Sequence, residues 1–348
     1  METLNNSINR ILVIQTAYLG DAILTLPMLK KLKERNREAQ IDVLAIPSTK
    51  EIFSSAPYVD NVIIIDKKGN QKSIRALNRF IKELRKNSYT ILYSPHRSFR
   101  SAYIALMLGC NESYGFDNSS FKYAYKHLVE YKAEHHEVQR NLSLIRENIE
   151  GEGWKIHPEI SIDEVGENNV NTFITNNHLE NGFISVAPGS VWKTKRYPKS
   201  QFIELIKMLT DIDETILVIG SEHDSELCSE ITSNFSHNVI NTAGRFRVIE
   251  TISLLKNAKL LITNDSAPTH MGMCADIPVI TIYCSTIKEF GFYPYNKKSQ
   301  SVSFDKLDCK PCGIHGHTEC PLGTFECGQK LLPEEIFKVA QNILSTNA

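Results

Sequence analysis

The amino-acid sequence predicts an α/β chain made of two doubly wound halves of comparable size. Three observations predict it. Short unbroken apolar runs of strand length, such as Ile11-Leu12-Val13-Ile14, recur with polar residues on either side. A run without alternation marks a strand buried on both faces, as in a parallel sheet. Stripes of helical period lie between these runs, and the alternation stops near the middle of the chain and then resumes. Strands alternating with helices are βαβ units.

In the first half, the strand at residues 11–14 leads into the turn Gln15-Thr16-Ala17-Tyr18-Leu19-Gly20-Asp21. Gly20 permits a tight backbone, and Asp21 stands where a helix should start. Leu26, Leu29 and Leu32 make the stripe of that helix, and Pro27 must occupy its first turn or kink it. Further strands are expected at residues 41–45, 62–65 and 90–93. Ile74, Leu77, Phe80, Ile81 and Leu84 predict an amphipathic helix. The polar turn Ser94-Pro95-His96-Arg97-Ser98 precedes an apolar helix at residues 102–108.

From about residue 130 to 181 the pattern weakens, with Gly151, Gly153, Pro158 and Gly166 in a polar stretch. Residues 136–149 predict a helix through Val138, Leu142 and Ile145. The domain connection is placed around residues 150–180, giving domains 1–165 and 166–348. The second half has strands at 183–186, 215–219, 259–262 and 278–283. Helical stripes run through Phe202, Leu205, Ile206 and Leu209, through Ile249, Ile252 and Leu255, and over 334–344.

A chain of 348 residues with 42% hydrophobic residues can bury two cores. A net charge of -1 excludes a whole-surface field for nucleic acid. Residues 1–10 lack the apolar core of a signal peptide, and the longest apolar-rich run, 102–110, is far short of a membrane span. The expectation is a cytoplasmic protein, with peripheral contact to a membrane left open.

The stretch Thr263-Asn264-Asp265-Ser266-Ala267-Pro268-Thr269-His270 joins a strand to a helix. Asp265 or Ser266 suits the N-cap and Pro268 the first turn. Such a turn lies at the carboxyl edge of the sheet, where open α/β folds bind ligands, and the helix N-terminus attracts an anion such as phosphate. An ordinary capped helix is the alternative. The loop from Pro188 to Pro198 also follows a strand. It carries Gly189 and Ser190 as small donors and Lys193, Lys195 and Arg196 as cations, a set that can bind a diphosphate and stabilise its charge as it leaves. A solvated basic loop is the alternative. Asp21 is a candidate general base or a plain helix cap. His96, Arg97 and Arg100 face an anionic acceptor or solvent.

Neither a Walker-type phosphate loop nor GxGxxG follows the first strand. Asp211-Ile212-Asp213 precedes a strand and reads as a turn, and His135-His136 reads as surface. Cys110, Cys228, Cys274 and Cys284 are scattered and read as reduced core residues. Cys309, Cys312, Cys320 and Cys327 crowd the segment 309–327 and permit a structural, tetrahedral zinc site. A reduced, tightly turned loop or a redox-labile pair are the alternatives.

Taken together, Leu19-Gly20-Asp21 with Leu26-Pro27, Pro188-Gly189-Ser190 with Lys195-Arg196-Tyr197-Pro198, and Thr263-Asn264-Asp265-Ser266 with His270 follow one family's order and spacing. The chain resembles the bacterial heptosyltransferases of lipopolysaccharide core synthesis, glycosyltransferase family 9, over nearly its whole length. The resemblance implies a GT-B fold, two Rossmann-like domains facing a cleft. It implies inverting transfer of a sugar, usually from ADP-heptose, to a lipopolysaccharide core or other lipid-linked glycan, with no essential metal or cofactor. Carried over, Asp21 is the base that deprotonates the acceptor, Lys195 neutralises the diphosphate and Asp265 holds the donor sugar. The N–H groups of Ser266 and Ala267 meet the phosphates, with Ser190 and His270 close by. Where many members have Gly-Pro-Thr, this chain has Cys284-Ser285-Thr286, with Thr286 left to reach a phosphate. The acceptor would lie at the inner face of the cytoplasmic membrane, near Lys122, Lys126, Arg97 and Arg100. Two rivals share the fold: a sugar-nucleotide epimerase that needs no acceptor, and a zinc-stapled binding protein without activity.

Overall fold

The structure, a computed structural model, describes residues 10–347. The polar start read above as free of a signal peptide lies, up to residue 9, outside the described residues. The chain divides into two compact units, one ending at Ser161 and one beginning at Ile162.

The first unit runs β1 (Arg10–Ile14), α1 (Leu19–Arg35), β2 (Gln40–Ala45), α2 (Lys50–Ser54), β3 (Asn61–Ile64), α3 (Ile74–Leu84), β4 (Ile91–Ser94), α4 (Phe99–Leu108), β5 (Glu112–Phe116), β6 (His127–Val129) and α5 (Glu137–Leu144). Its sheet has the order β3-β2-β1-β4-β5-β6, parallel throughout. Ile11, Leu12, Val13 and Ile14 are fully buried, because β1 is central and covered on both faces.

The second unit runs α6 (Glu164–Asn176), β7 (Phe183–Ala187), α7 (Lys199–Thr210), β8 (Ile216–Val218), α8 (Ser225–Thr232), β9 (Val239–Asn241), α9 (Val248–Leu255), β10 (Ala258–Asn264), α10 (Ala267–Ala275), β11 (Val279–Tyr283), β12 (Gln300–Ser303), α11 (Glu326–Gln329) and α12 (Pro333–Asn347). Its order, β12-β11-β10-β7-β8-β9, repeats that of the first sheet when its strands are counted from β7. Both are Rossmann orders, so the chain direction across the sheet reverses between β1 and β4 and again between β7 and β10. The expected α/β class and its strand–helix alternation are therefore present in both units.

Several elements differ from the sequence expectation. Pro27 lies in the middle of α1 and not in its first turn. It leaves the Ile23 carbonyl without an i+4 donor, and the helix continues past it. The strands β5, β6, β9 and β12 and the helix α6 escape the apolar pattern. The four strands are partly polar and half-buried in places, with β6, β9 and β12 in outer positions. The helix α6 is mostly polar. Asp163 caps it, its side chain accepting from the Gly166 N–H at 2.7 Å, and Val170, Phe173 and Ile174 bury one stripe. His136 is not surface: it is 1% exposed, caps α5 by accepting from the Val138 N–H at 3.2 Å, and stacks on Trp154 at 5.0 Å. The Asp211-Ile212-Asp213 stretch does form the turn between α7 and β8, with Asp213 in the left-handed region. Cys110, Cys228, Cys274 and Cys284 are buried free thiols, as expected of core residues. Among the described residues, no helix is long and apolar enough to cross a membrane.

Ile262 is fully buried on β10, in the middle of the second core. Ile262→Ala should lower stability by about 2–5 kcal/mol, read as an earlier urea midpoint. Val165→Ala, at a position 69% exposed, should leave the midpoint unchanged within error.

Candidate active site

In each unit, the loops that flank the strand reversal hold the predicted residues. In the second unit these are the β7–α7 loop and the β10–α10 turn. Asn264 ends β10 and reaches across the reversal. Its Oδ1 accepts from the Tyr197 N–H at 2.9 Å and its Nδ2 donates to the Pro188 carbonyl at 2.8 Å. One buried side chain thus holds both ends of the basic loop. Lys195, in a single 3-10 turn, places Nζ 2.6 Å from Asp265 Oδ2, and the Thr286 hydroxyl donates to the same oxygen at 2.7 Å. The lysine and aspartate side chains are 14% and 10% exposed, so water screens the pair little. Thr286, expected at a phosphate, has its proton committed to Asp265.

Ser266 is the N-cap of α10, but no side-chain cap bond forms. Its hydroxyl turns instead toward the carbonyls of Gly189 and Asn264, at 3.4 and 3.3 Å. Pro268 brings no N–H to the first turn, so this helix start carries one backbone donor fewer. Ala267 is the first residue of that turn. Ser190 is nearly buried, and its carbonyl accepts from Arg196 Nε at 2.7 Å. His270, 5% exposed, has an Nδ1 with no hydrogen-bond partner. Burial pulls its pKa down to about 4; the carboxylate of Asp265 opposes this and the charge of Lys195 adds to it. The imidazole is therefore neutral at neutral pH.

A Cβ on Gly189 would fall 2.3 Å from Asp224 Oδ1. That carboxylate is held by the Ser221 N–H and hydroxyl, at 3.0 and 2.7 Å. The glycine is required by this close approach.

The cysteine-rich segment braces the same loop. The Thr194 N–H donates to the His317 carbonyl at 3.1 Å, and the His317 N–H donates to the Thr194 hydroxyl at 2.7 Å. The Ser285 hydroxyl reaches Thr194 Oγ1 at 3.0 Å, and the Cys312 N–H donates to the Ser285 carbonyl at 2.8 Å. The zinc site that the spacing permits is not assembled. Cys309, Cys312, Cys320 and Cys327 are free thiols, and among the described residues no group of three or more His, Cys, Asp or Glu is placed to hold a metal ion. The sulfurs are used otherwise. Cys312 Sγ faces the Cys309 carbonyl at 3.4 Å, Cys327 packs into the second core, and Cys320 Sγ accepts from the Phe325 N–H at 3.4 Å. Burial tends to raise the Cys320 thiol, but backbone N–H groups from Phe325, Leu322, Gly323 and Thr324 outweigh it and lower it. Asn264, Thr194 and Ser285 fall within stretches singled out in the sequence, but nothing there marked these bracing roles, and Asp224 lies in none of those stretches.

In the first unit, Asp21 sits in the first turn of α1, and its Oδ2 accepts from the Tyr18 N–H at 3.2 Å. Asp21 is thus not the N-cap itself: Tyr18 holds that position, and Asp21 is the third residue of the helix, accepting from the N-cap N–H. Gln15 Nε2 donates to the Thr25 hydroxyl at 2.9 Å, and that hydroxyl donates to the Asp21 carbonyl at 2.7 Å, fixing the turn from inside. Thr16 Oγ1 meets His96 Nδ1 at 2.8 Å, which ties the two loops of this reversal together. Lys67 Nζ donates to the Thr16 carbonyl at 2.5 Å. Burial, then Lys67 and Arg97, pull the His96 pKa down to about 4.

The Arg97 guanidinium lies 4.0 Å from the ring centroid of Tyr131, and Arg140 lies 4.8 Å from the same ring. Arg140 Nη1 donates to Glu137 Oε2 at 2.9 Å, both side chains being buried. Burial pushes Glu137 up, Arg140 opposes this, and the charge of Asp21 adds to the rise, so Asp21 belongs to this neighbourhood. Sequence reasoning missed Tyr131, Glu137 and Arg140; the only signal was the i,i+3 acid–base pair inside a polar stretch. Arg100 is committed to the Gln71 and Lys72 carbonyls, at 2.6 and 3.5 Å.

The profile of glycosyltransferase family 9 (heptosyltransferase) matches residues 77–322. The lipooligosaccharide heptosyltransferase 2 of Campylobacter jejuni is 23% identical over 97% of this chain and 99% of its own. A glycosyl transferase family 9 structure from Veillonella parvula superposes with a TM-score of 0.86, at 21% identity over 99% of this chain and 100% of that one. The E. coli ADP-heptose LPS heptosyltransferase II superposes with a TM-score of 0.79, at 20% identity over 97% and 99%. These likenesses agree with an α/β fold of two Rossmann-like units, of the GT-B class.

Two outcomes follow from the second-unit geometry. Gly189→Ala should cost about 1–3 kcal/mol, seen as an earlier thermal midpoint, because Asp224 must move. His270 binds its proton more weakly folded (about 4) than unfolded (6.5). Its stabilising effect is therefore complete above pH 6.5 and lost as pH falls toward 4. The slope of stability against pH in that window should flatten in His270→Asn.

Proposed function

Because the chain belongs to glycosyltransferase family 9, the heptosyltransferase family, it is a glycosyltransferase, and from that premise we propose a specific reaction. It moves a heptose, or a related sugar, from ADP-heptose to the lipopolysaccharide core or another lipid-linked glycan. The transfer inverts the anomeric carbon and requires no metal ion. The observation that carries this reading is the Lys195–Asp265–Thr286 cluster beside the uncapped start of α10. The ADP-heptose named for the E. coli relative supports the choice of donor.

On this reading the diphosphate takes the Lys195 ammonium and the N–H groups at Ser266 and Ala267, with Ser190 on the loop opposite. Asp265, released from Lys195, turns its carboxylate to the sugar hydroxyls, and Thr286 keeps it oriented. Asp21 removes the acceptor proton as the acceptor oxygen bonds to the anomeric carbon. The bond from that carbon to the diphosphate breaks, and its electron pair leaves with ADP. A single displacement inverts the carbon. A lysine and a helix N-terminus together neutralise the leaving charge, the task a metal would otherwise perform. Arg97, whose guanidinium has no hydrogen-bond acceptor among the described residues, is the proposed contact for an anionic acceptor, with Arg100 beside it. Because the proposed acceptor is lipid-linked, the proposed reaction takes place at the inner face of the cytoplasmic membrane.

The test offers purified protein ADP-heptose beside UDP- and GDP-sugars, with a bacterial lipid extract as acceptor and EDTA present. Acceptor-dependent ADP release is expected, unchanged by EDTA. Asp21→Asn should lower kcat by about 10²–10⁴-fold and Lys195→Ala by about 10²–10³-fold. Release without acceptor would point to an epimerase, and full activity in Asp21→Asn would rule out the proposed base.

A further inference from the structure

The outer faces of α3 and α4 form a surface that the reaction does not use. On α4, Phe99, Tyr103 and Leu106 follow at i, i+4 and i+7 and so share one face. Phe99 is 60% and Leu106 46% exposed. Beside them, Phe121 lies 5.8 Å from the Phe99 ring, and Tyr123, 80% exposed, follows on the same loop. On α3, Leu77, Ile81 and Leu84 turn into the core, which leaves Arg75, Arg79 and Lys82 as an exposed basic stripe at the same spacing. The Tyr103 hydroxyl donates to Asn78 Oδ1 at 2.7 Å, which sets the aromatic face beside the basic one. Among the described residues, Lys72, Arg75, Arg79, Lys82 and Lys122 pair with no carboxylate.

The charge is local. Residues 66–126 hold twelve lysines and arginines against four aspartates and glutamates, a net of +8, in a chain whose overall charge is -1. Exposed aromatic and aliphatic side chains flanked by unpaired cations match an anionic bilayer surface: the rings enter the headgroup region and the cations meet lipid phosphates. A second copy of the chain suits this face poorly, since it would bring the same positive charge against itself.

We propose that this α3–α4 face docks the protein on an anionic phospholipid membrane. The inference deepens the proposed function, since a lipid-linked acceptor is reached at such a surface. The Arg97 loop leads directly into α4, and the Ser120 N–H bonds the Arg97 carbonyl at 3.0 Å, so the docking face adjoins the residue assigned to the acceptor.

The test is co-sedimentation of the full chain with vesicles of phosphatidylcholine alone or with about a third phosphatidylglycerol. Binding is expected only to the anionic vesicles, and it should weaken as salt rises from about 0.1 to about 0.5 M. The triple variant Arg75→Glu, Arg79→Glu, Lys82→Glu should bind about tenfold or more weakly. Phe99→Ser with Tyr123→Ser should also lose binding, while Lys207→Glu, Lys256→Glu, Lys338→Glu on the second unit should not. Circular dichroism and a thermal midpoint confirm that each variant folds. Equal binding by the charge-reversed variant, or no binding to anionic vesicles, would overturn the proposal. So would a stable dimer that Phe99→Ser dissociates in the absence of vesicle binding. Sugar transfer to a lipid-free acceptor should stay unchanged in both surface variants. Its absence in wild type would count against the transferase reading alone, and vesicle binding would still stand or fall by itself.

Discussion

A parallel strand pair cannot be closed by a hairpin, so every connection in these two sheets must travel back over a face before the next strand begins. Most do so by a helix. All strand ends of one kind then collect at one edge, and the helices that follow start there with unsatisfied N–H groups. Where the strand order reverses, neighbouring loops diverge to opposite faces and leave a gap between them. In the second unit that gap holds Lys195 and Asp265, and in the first it is bordered by Asp21 and His96. The same strand order in both units means that one rule of connectivity generates both sets of candidate residues.

Within the second unit the proposed chemistry rests on charges that are held in low-dielectric surroundings. An ion pair that is nearly buried is strongly felt by its neighbours and exchanges partners only when something of comparable charge arrives. In the proposed reaction the diphosphate of the donor would be that charge, drawing Lys195 away from Asp265. Asn264 makes this arrangement possible by holding both ends of the basic loop, so the lysine sits on a fixed segment. The cysteine-rich segment adds a second clamp through Thr194 and Ser285, using hydrogen bonds where the cysteine spacing had permitted a metal.

The first unit shows a different economy. Its loops are joined by neutral contacts between Thr16 and His96 and between Gln15 and Thr25. The cations gather instead around the Tyr131 ring and along α3. Positive charge near Arg97 is thereby continuous with a basic outer surface, although the chain as a whole is almost neutral.

The central strands, the helices with clear apolar stripes and the loops bearing Asp21, Lys195 and Asp265 were legible in the sequence. Each depends on local periodicity or on short-range turn chemistry, and a fully buried strand writes its burial directly into residues such as Ile11 to Ile14. The outer strands and the helix α6 were not legible, because an element that buries a single stripe can be largely polar. Nor were the partners of the site residues. Tyr131, Glu137 and Arg140 lie over a hundred residues from Asp21, and Thr194 lies 123 residues from His317. Four cysteines at metal-like spacing do not say where their sulfurs point, and only the packed chain decided that Cys312 and Cys320 face backbone groups, Cys327 the core and Cys309 solvent. Local sequence determined which elements form and where their polar turns fall. Long-range packing decided which of those turns meet, because that depends on strand order and on which buried side chains cross between loops.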